Sequence, residues 1–343
     1  MTSTNGIRVG SLDIPIHNNN RSFTPAQNGN AGKIQIVLIL GSNRKTNTII
    51  DSLRPAGVDI HQAVARHSHK TSESGVRVHK TEFNFSDESL SDLFSTVRTD
   101  LVISTIAGGQ FETQQCIIDN AIRASIPRFM PAEFGHDSMN PKIQYRLPHH
   151  RERARVLEYL HDQASQDRIS YLALATGTTL DQDLHSGRLG FDMQWQSATL
   201  QGPGDEIFAA SSTQWLGRVV LAAIRLWDEV QNQYLYVSGL TTSPNEVLDA
   251  LERETGEIWE AGRGEVGECV CEGEKRIASG FPDAGMFLLE RSILYDPDLG
   301  AVDAFVKKDA KGQLGLKPEL LEGIVKRALH QHGHHGKRGC GCD

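Results

Sequence analysis

The chain has 343 residues, roughly two domains' worth, with 38% hydrophobic and 23% charged residues, enough to bury a sizeable core. Its 35 Lys and Arg stand against 43 Asp and Glu, a formal net charge of −8 that argues against a nucleic-acid surface, which requires a basic stripe. No apolar run approaches the roughly 20 residues of a membrane span.

Residues 1–33, rich in Asn, Gly, Ser and Thr, read as a mobile arm without an apolar signal core. Order is expected to begin at 34–40, an almost continuous apolar run suited to a strand buried on both faces. Further strands are expected over 60–65, 76–79, 100–105, 128–130 and 169–175, with helices over 86–97, 113–124 and 148–162. This alternation implies βαβ units and an α/β, doubly wound, Rossmann-type parallel sheet over 34–177.

Past Gly177 the pattern changes. Segments 194–201 and 206–211 flank Gly202-Pro-Gly204 and suggest a hairpin. Helices over 213–228, 245–255, 285–295 and 318–329, with one strand over 234–239, complete a smaller, mixed α/β substrate lobe, 178–329. The tail 330–343 holds His330, His332, His334, His335, Cys340 and Cys342. Its spacing matches no closed zinc site, so it reads as a polar tail and no metal is expected. Five cysteines without a disulfide-framework spacing suggest a reduced, cytoplasmic protein, with Cys116 in a helix core.

The first strand ends at Gly41, and a helix opens after Ser42-Asn-Arg-Lys-Thr-Asn47. Doubly wound sheets hold a pyrophosphate at this turn, on backbone N–H groups and the helix dipole. Gly41, Asn43 and Arg44 are therefore cofactor-binding candidates. Of a Gly-x-x-Gly-x-x-Gly turn only the first glycine is present; Arg44 and Asn47 occupy the other two places. Arg44 either pairs with a phosphate in place of close backbone approach or blocks the turn. The end of the second strand carries Arg66-His-Ser-His-Lys70 and no acid. Arg66 and Lys70 would suit a 2′-phosphate, which favours NADP(H) over NAD(H).

Asp100-Leu-Val-Ile-Ser-Thr-Ile-Ala107, a helix beginning near Gln110, and Arg128-Phe-Met-Pro-Ala-Glu-Phe-Gly-His-Asp137 form a distinctive series. Ala175-Thr-Gly177, Leu189-Gly-Phe191 and Ala198-Thr-Leu-Gln-Gly-Pro-Gly-Asp205 continue it. Over about 34–260 the chain resembles the isoflavone reductase-like, NmrA-like branch of the atypical short-chain dehydrogenases, of the fungal secondary-metabolism type. The resemblance implies an NADP(H)-bound Rossmann domain, a lobe that closes over the nicotinamide and a small, largely apolar metabolite as substrate, and leaves a homodimer open. It places Thr176 and Gly177 beside the nicotinamide and adds Thr105 and Phe134 as cofactor-binding candidates.

In the family a catalytic lysine sits in a Lys-x-x-[Ile/Val] context, which falls here on Arg153 within Arg151-Glu-Arg-Ala-Arg-Val156. Arginine stays protonated and does not readily exchange a proton, although it can hold an oxyanion. Proton transfer would then pass to His136, Tyr145 or Asp137, while Glu133 would bond backbone N–H groups of its loop. The leading expectation is a reductase. A cyclase or isomerase with a retained nicotinamide, and a non-catalytic dinucleotide-sensing regulator, stay open beside it.

Overall fold

The computed structural model describes residues 33–72, 74–82, 87–106 and 110–334. The expected arm, Lys33 apart, and the tail from 335 onward lie outside them. The chain first forms β1 (Ile36–Leu40), α1 (Arg44–Leu53), β2 (Asp59–Ala65), β3 (Val76–Thr81) and α2 (Asp87–Thr96). Next come β4 (Leu101–Ser104), α3 (Phe111–Arg123), β5 (Arg128–Met130), α4 (Pro141–Arg146), α5 (Pro148–Ser165) and β6 (Ser170–Ala175). All the early strands fall where their apolar runs were expected.

Beyond Ala175 lie β7 (Thr178–Thr179), α6 (Leu180–His185), β8 (Phe191–Asp192), β9 (Ser197–Gln201) and β10 (Phe208–Ser211). Then follow α7 (Thr213–Arg225), α8 (Trp227–Val230), β11 (Gln233–Tyr236), β12 (Leu240–Thr242), α9 (Pro244–Thr255) and β13 (Glu260–Gly264). The last described helices are α10 (Val266–Ala278), α11 (Pro282–Tyr295), α12 (Asp303–Lys307) and α13 (Leu321–His334).

Seven parallel strands form the main sheet in the order β11-β6-β5-β4-β1-β2-β3. The order reverses at β1, which lies between β2 and β4, so the crevice at their C-terminal ends is the topological switch point. Strand alternation builds a core on each face. Val37, Ile39, Leu101 and Ile103 pack with α1 and α7 residues, whereas Leu38, Leu40 and Val102 pack with residues of α2, α3 and α5. Cys116 is half-buried against the second of these cores.

Three expectations need correction. Residues 194–201 and 206–211 form no hairpin. β9 pairs with β13 and β8, while β10 pairs with β12 and β7. The cause lies in the Gly202–Gly204 turn, whose carbonyls are taken by Asn245 and Arg263, drawing the two strands into separate small sheets. Residues 213–236, expected in the lobe, return to the main sheet. Trp215, Val219, Val220 and Ala223 share the core of Val37 and Ile49, and β11 pairs with β6. Finally, α13 extends through His330 to His334, because Ile324, Val325 and Ala328 anchor it in the lobe's core. A helix at α10, not expected from sequence, packs on α11 where Gly273 and Gly285 meet.

Candidate functional site

The β1–α1 turn is built by close approach. Gly41 has φ +124, and a Cβ there would lie 2.3 Å from Thr105 Oγ1, so only glycine lets β1 pass this close to the end of β4. Asn43 caps α1 in a reciprocal box: its side chain accepts from Thr46 N, and Thr46 Oγ1 accepts from Asn43 N. Asn43 Nδ2 also donates to Thr105 O at 2.6 Å, and the Thr46 and Thr105 hydroxyls lie 2.7 Å apart. Asn43 and Thr105 thus pin the turn across the switch point. The first-turn N–H groups of a helix project from its N-terminal end, and no acid occupies this one. Arg44 stands exposed there without a partner among the described residues.

Around this turn, Lys70 Nζ donates to Asn47 Oδ1 at 2.7 Å, and Gln62 Nε2 donates to Gly41 O at 2.8 Å. Lys70 is therefore docked on the turn itself, at the place where the third glycine would be. Arg66 is 73% exposed and pairs with Glu82 at 2.8 Å. Both cations remain at the C-terminal end of β2, the position expected for reading a ribose.

The loop after β5 supplies the other wall. Phe134 is buried with φ 22, and its carbonyl accepts from Lys45 Nζ at 2.7 Å. Gly135 O accepts from both Thr176 N and Gly177 N, at 3.1 and 3.0 Å, which fastens this loop to the end of β6. Gly177, φ +73, is obligatory for packing, since a Cβ would meet Ala209 O at 2.3 Å. Among the described residues, Glu133 does not bond backbone N–H groups as expected. Buried, it takes hydrogen bonds from the Tyr234 and Ser138 side chains, and desolvation pushes its carboxyl upward. Asp137 accepts from Met139 N at 2.9 Å and Tyr236 OH at 3.1 Å, an anchor beneath the loop.

Above the loop, charges from six segments meet. Arg153 on α5 lies against Gly135: its Nη1 would be 3.8 Å from a Cβ there. With Ile106, Gln110, Gln114, Pro131 and Glu152 it lines a crevice between α3 and α5. Lys45, Glu133, His136, His149 and His150 all feel its charge. From the lobe, Asp183 accepts from Thr178 Oγ1, and Arg188 pairs with Glu290 at 2.6 Å and approaches Asp183 at 3.6 Å.

Burial and these cations set the protonation states. His136 and His149 are pushed down to about 4, by desolvation first and Arg153 second. His150, bonded to Ser138 Oγ at 2.9 Å, goes lower still for the same reasons. All three rings are neutral near pH 7. Lys45 is lowered to about 8, again by desolvation and then Arg153. Tyr234 and Tyr236 are driven upward by burial and neighbouring carboxylates.

Among the residues singled out from sequence, Arg153, His136 and Phe134 come together, with Thr176 and Gly177 one hydrogen bond away. Tyr145 does not join them. It is 82% exposed on α4, because Ile143, two residues earlier, is the buried anchor of that short helix. Lys45, Asp183 and Arg188 were missed. For Lys45 a signal existed: a second cation beside Arg44 at the positive end of a helix is unfavourable and calls for a tertiary reason.

Comparison with known proteins bears on this geometry. "Oxidoreductase aprR" of Aspergillus flavus is 31% identical over 198 residues, 57% of this chain and 65% of that protein. "Oxidoreductase poxI" of Penicillium oxalicum is 24% identical over 288 residues, 82% of this chain and 89% of its own length. The fold matches a binary complex of leucoanthocyanidin reductase with NADPH from Vitis vinifera, at TM-score 0.68 and 14% identity over 86% of this chain and 99% of that one. It also matches AtPrR2 with NADP+ and (+)-pinoresinol, at TM-score 0.67 and 15% identity, over 86% and 98% of the two chains. Among the described residues, no helix is long and apolar enough to cross a membrane. The sequence profile of the NmrA-like family matches residues 34–270, and with that match the chain belongs to the NmrA-like family.

Proposed function

We propose that this protein is an NADP(H)-dependent reductase of a small, largely apolar metabolite. The carrying observation is the convergence of Arg153, Lys45 and His136 beside the β1/β4 switch point, at a glycine-tight, acid-free helix N-terminus. The residues present fit a dinucleotide. Gly41 keeps the turn open to close approach, the first-turn N–H groups and Arg44 would meet the pyrophosphate, and Arg66 and Lys70 would take the 2′-phosphate. The named oxidoreductase relatives and the NADPH- and NADP+-bound structures of the same fold support this reading.

When bound, the reduced dinucleotide supplies a hydride. Arg153 holds a permanent charge where negative charge would develop on a substrate oxygen, and the neutral histidines let that field act undiluted. Asp183 and Glu290 orient Arg188 at the lobe side of the cleft. Titration of NADPH and NADH, by fluorescence or calorimetry, tests the cofactor. Tighter NADPH binding is expected; equal affinities would remove the 2′-phosphate argument, and binding of neither would remove the reductase. NADPH oxidation is then measured against a panel of aryl ketones and enones. Product formed without NADPH consumption would favour a redox-neutral rearrangement at the same Arg153.

A further inference from the structure

Lys45 occupies the second position of α1, directly after Arg44, with no acid in the first turn. The helix dipole opposes a cation there, so helix stability does not account for it. Its side chain turns inward and donates to Phe134 O at 2.7 Å, a carbonyl presented by the left-handed φ of Phe134. An ammonium has three N–H donors, and Phe134 O is its hydrogen-bond partner among the described residues. The charged groups facing it are Arg153 from α5, Glu133 from the loop after β5, Asp183 from α6 and Arg188 from the lobe, with His136, His150 and Glu290 farther round.

The other residues of the cluster are poorly placed to move a proton. Arg153 does not give one up. His136 and His149 lose theirs near pH 4 and stay neutral, as does His150. Tyr234 and Tyr236 hold theirs too tightly. Glu133 and Asp183, raised by burial, are already engaged as acceptors by hydroxyls of Tyr234, Ser138 and Thr178.

We propose that Lys45 is the proton-carrying residue of this site, its ammonium facing the hydride-transferring end of the dinucleotide. The inference rests on the NADP(H) reading above. In the step it serves, the hydride comes from the reduced dinucleotide, which is oxidised, and forms a C–H bond as the substrate C=O becomes a single bond. The proton leaves Lys45 Nζ for the oxygen, and the resulting amine regains one from water. Lys45 thereby works with Arg153: one exchanges the proton, the other holds fixed charge and keeps the amine's proton loose.

The test uses the full chain and needs no substrate. Amines are labelled with acetic anhydride across pH 6 to 11, and Lys45 is followed by peptide mass spectrometry. Its midpoint should fall near 8 and not at the ordinary lysine value of 10.5. NADP+ at ten times its Kd should slow Lys45 labelling about tenfold, whereas 2′,5′-ADP, which lacks the nicotinamide, should leave it unchanged. Calorimetry in buffers of different ionisation enthalpy should show proton release on NADP+ binding at pH 8, because the cationic ring disfavours the ammonium. That release should vanish in Lys45→Met with NADP+ still bound. If Lys45 resists labelling at every pH, the proton count decides. A midpoint near 10.5, equal protection by both nucleotides, or wild-type proton release from Lys45→Met would overturn the assignment while leaving the cofactor reading intact. Failure of both nucleotides to bind would overturn the cofactor reading, and this inference with it.

Discussion

Two sets of cations flank the start of α1 and differ in where they point. Arg44 and Arg66 are exposed and Lys70 is half-buried on the turn, whereas Lys45, Arg153 and Arg188 turn inward among Glu133, Asp183 and Glu290. Outward charges act through water and are screened, so they suit recognition of a mobile, multiply charged ligand. Within the inward set Lys45 is desolvated and lies in the field of Arg153, which together lower it to about 8, into the working range of acid–base chemistry. The residue types are the same; burial divides their work.

The comparison breaks most readily at Arg153. Arg153→Ala should lower NADPH-dependent turnover about 10²–10³-fold, the usual effect of removing an oxyanion donor, with cofactor affinity little changed. Arg153→Lys keeps the charge without the planar fork and should retain part of the rate. A wild-type rate in Arg153→Ala would remove the inward set from catalysis.

Among the outward set, Arg66→Ala should cost NADPH roughly 1.5–3 kcal/mol of affinity, the typical worth of a charge-assisted contact, and leave NADH unaffected. Equal losses for both nucleotides in a fluorescence titration would show that Arg66 does not read the 2′-phosphate. Arg44→Gly should weaken NADPH by a smaller amount, about 0.2–1 kcal/mol, as for an exposed ion pair. Substantially tighter binding would show instead that Arg44 obstructs the turn.

The smallest effect concerns stability and pH. His136 and His149 have folded-state values near 4, below the ordinary 6.5. Between these values the unfolded chain binds more protons, so their contribution to stability is complete above 6.5 and is lost as pH falls toward 4. Glu133 and Asp183, raised by burial, act in the opposite sense. Thermal melts of His136→Gln and His149→Gln should therefore fall less steeply than wild type between pH 6.5 and 4, by a few degrees (about 2–4 °C per kcal/mol). An unchanged slope would show that these rings are not desolvated.

Much of the frame is legible in the sequence. The run from Ile36 to Leu40 and the later strands of the sheet are short, apolar and spaced for helices, so local hydrophobicity and chain length locate them. Gly41 and Gly177 were marked for the cofactor, yet each is also demanded by a neighbour, Thr105 and Ala209, far along the chain. Arg153 was singled out through the family resemblance, by matching the Lys-x-x-[Ile/Val] context to Arg151-Glu-Arg-Ala-Arg-Val156. The outward direction of Tyr145 was not readable, because it depends on which residue of a six-residue helix finds a core.

By itself, the sequence determined the alternating βα order, a turn after Gly41 that leads into a helix, and the arginine at position 153. These are local properties, set by hydrophobic period, capping and residue identity. Only the tertiary structure decided that β9 and β10 part company and that α7 and β11 return to the main sheet. It alone placed Lys45 against Phe134 within reach of Arg153's charge. Strand partners are chosen by competition among distant carbonyl and N–H groups, and proton affinities by desolvation and by charges contributed from other elements. Neither quantity is carried by any one stretch of chain.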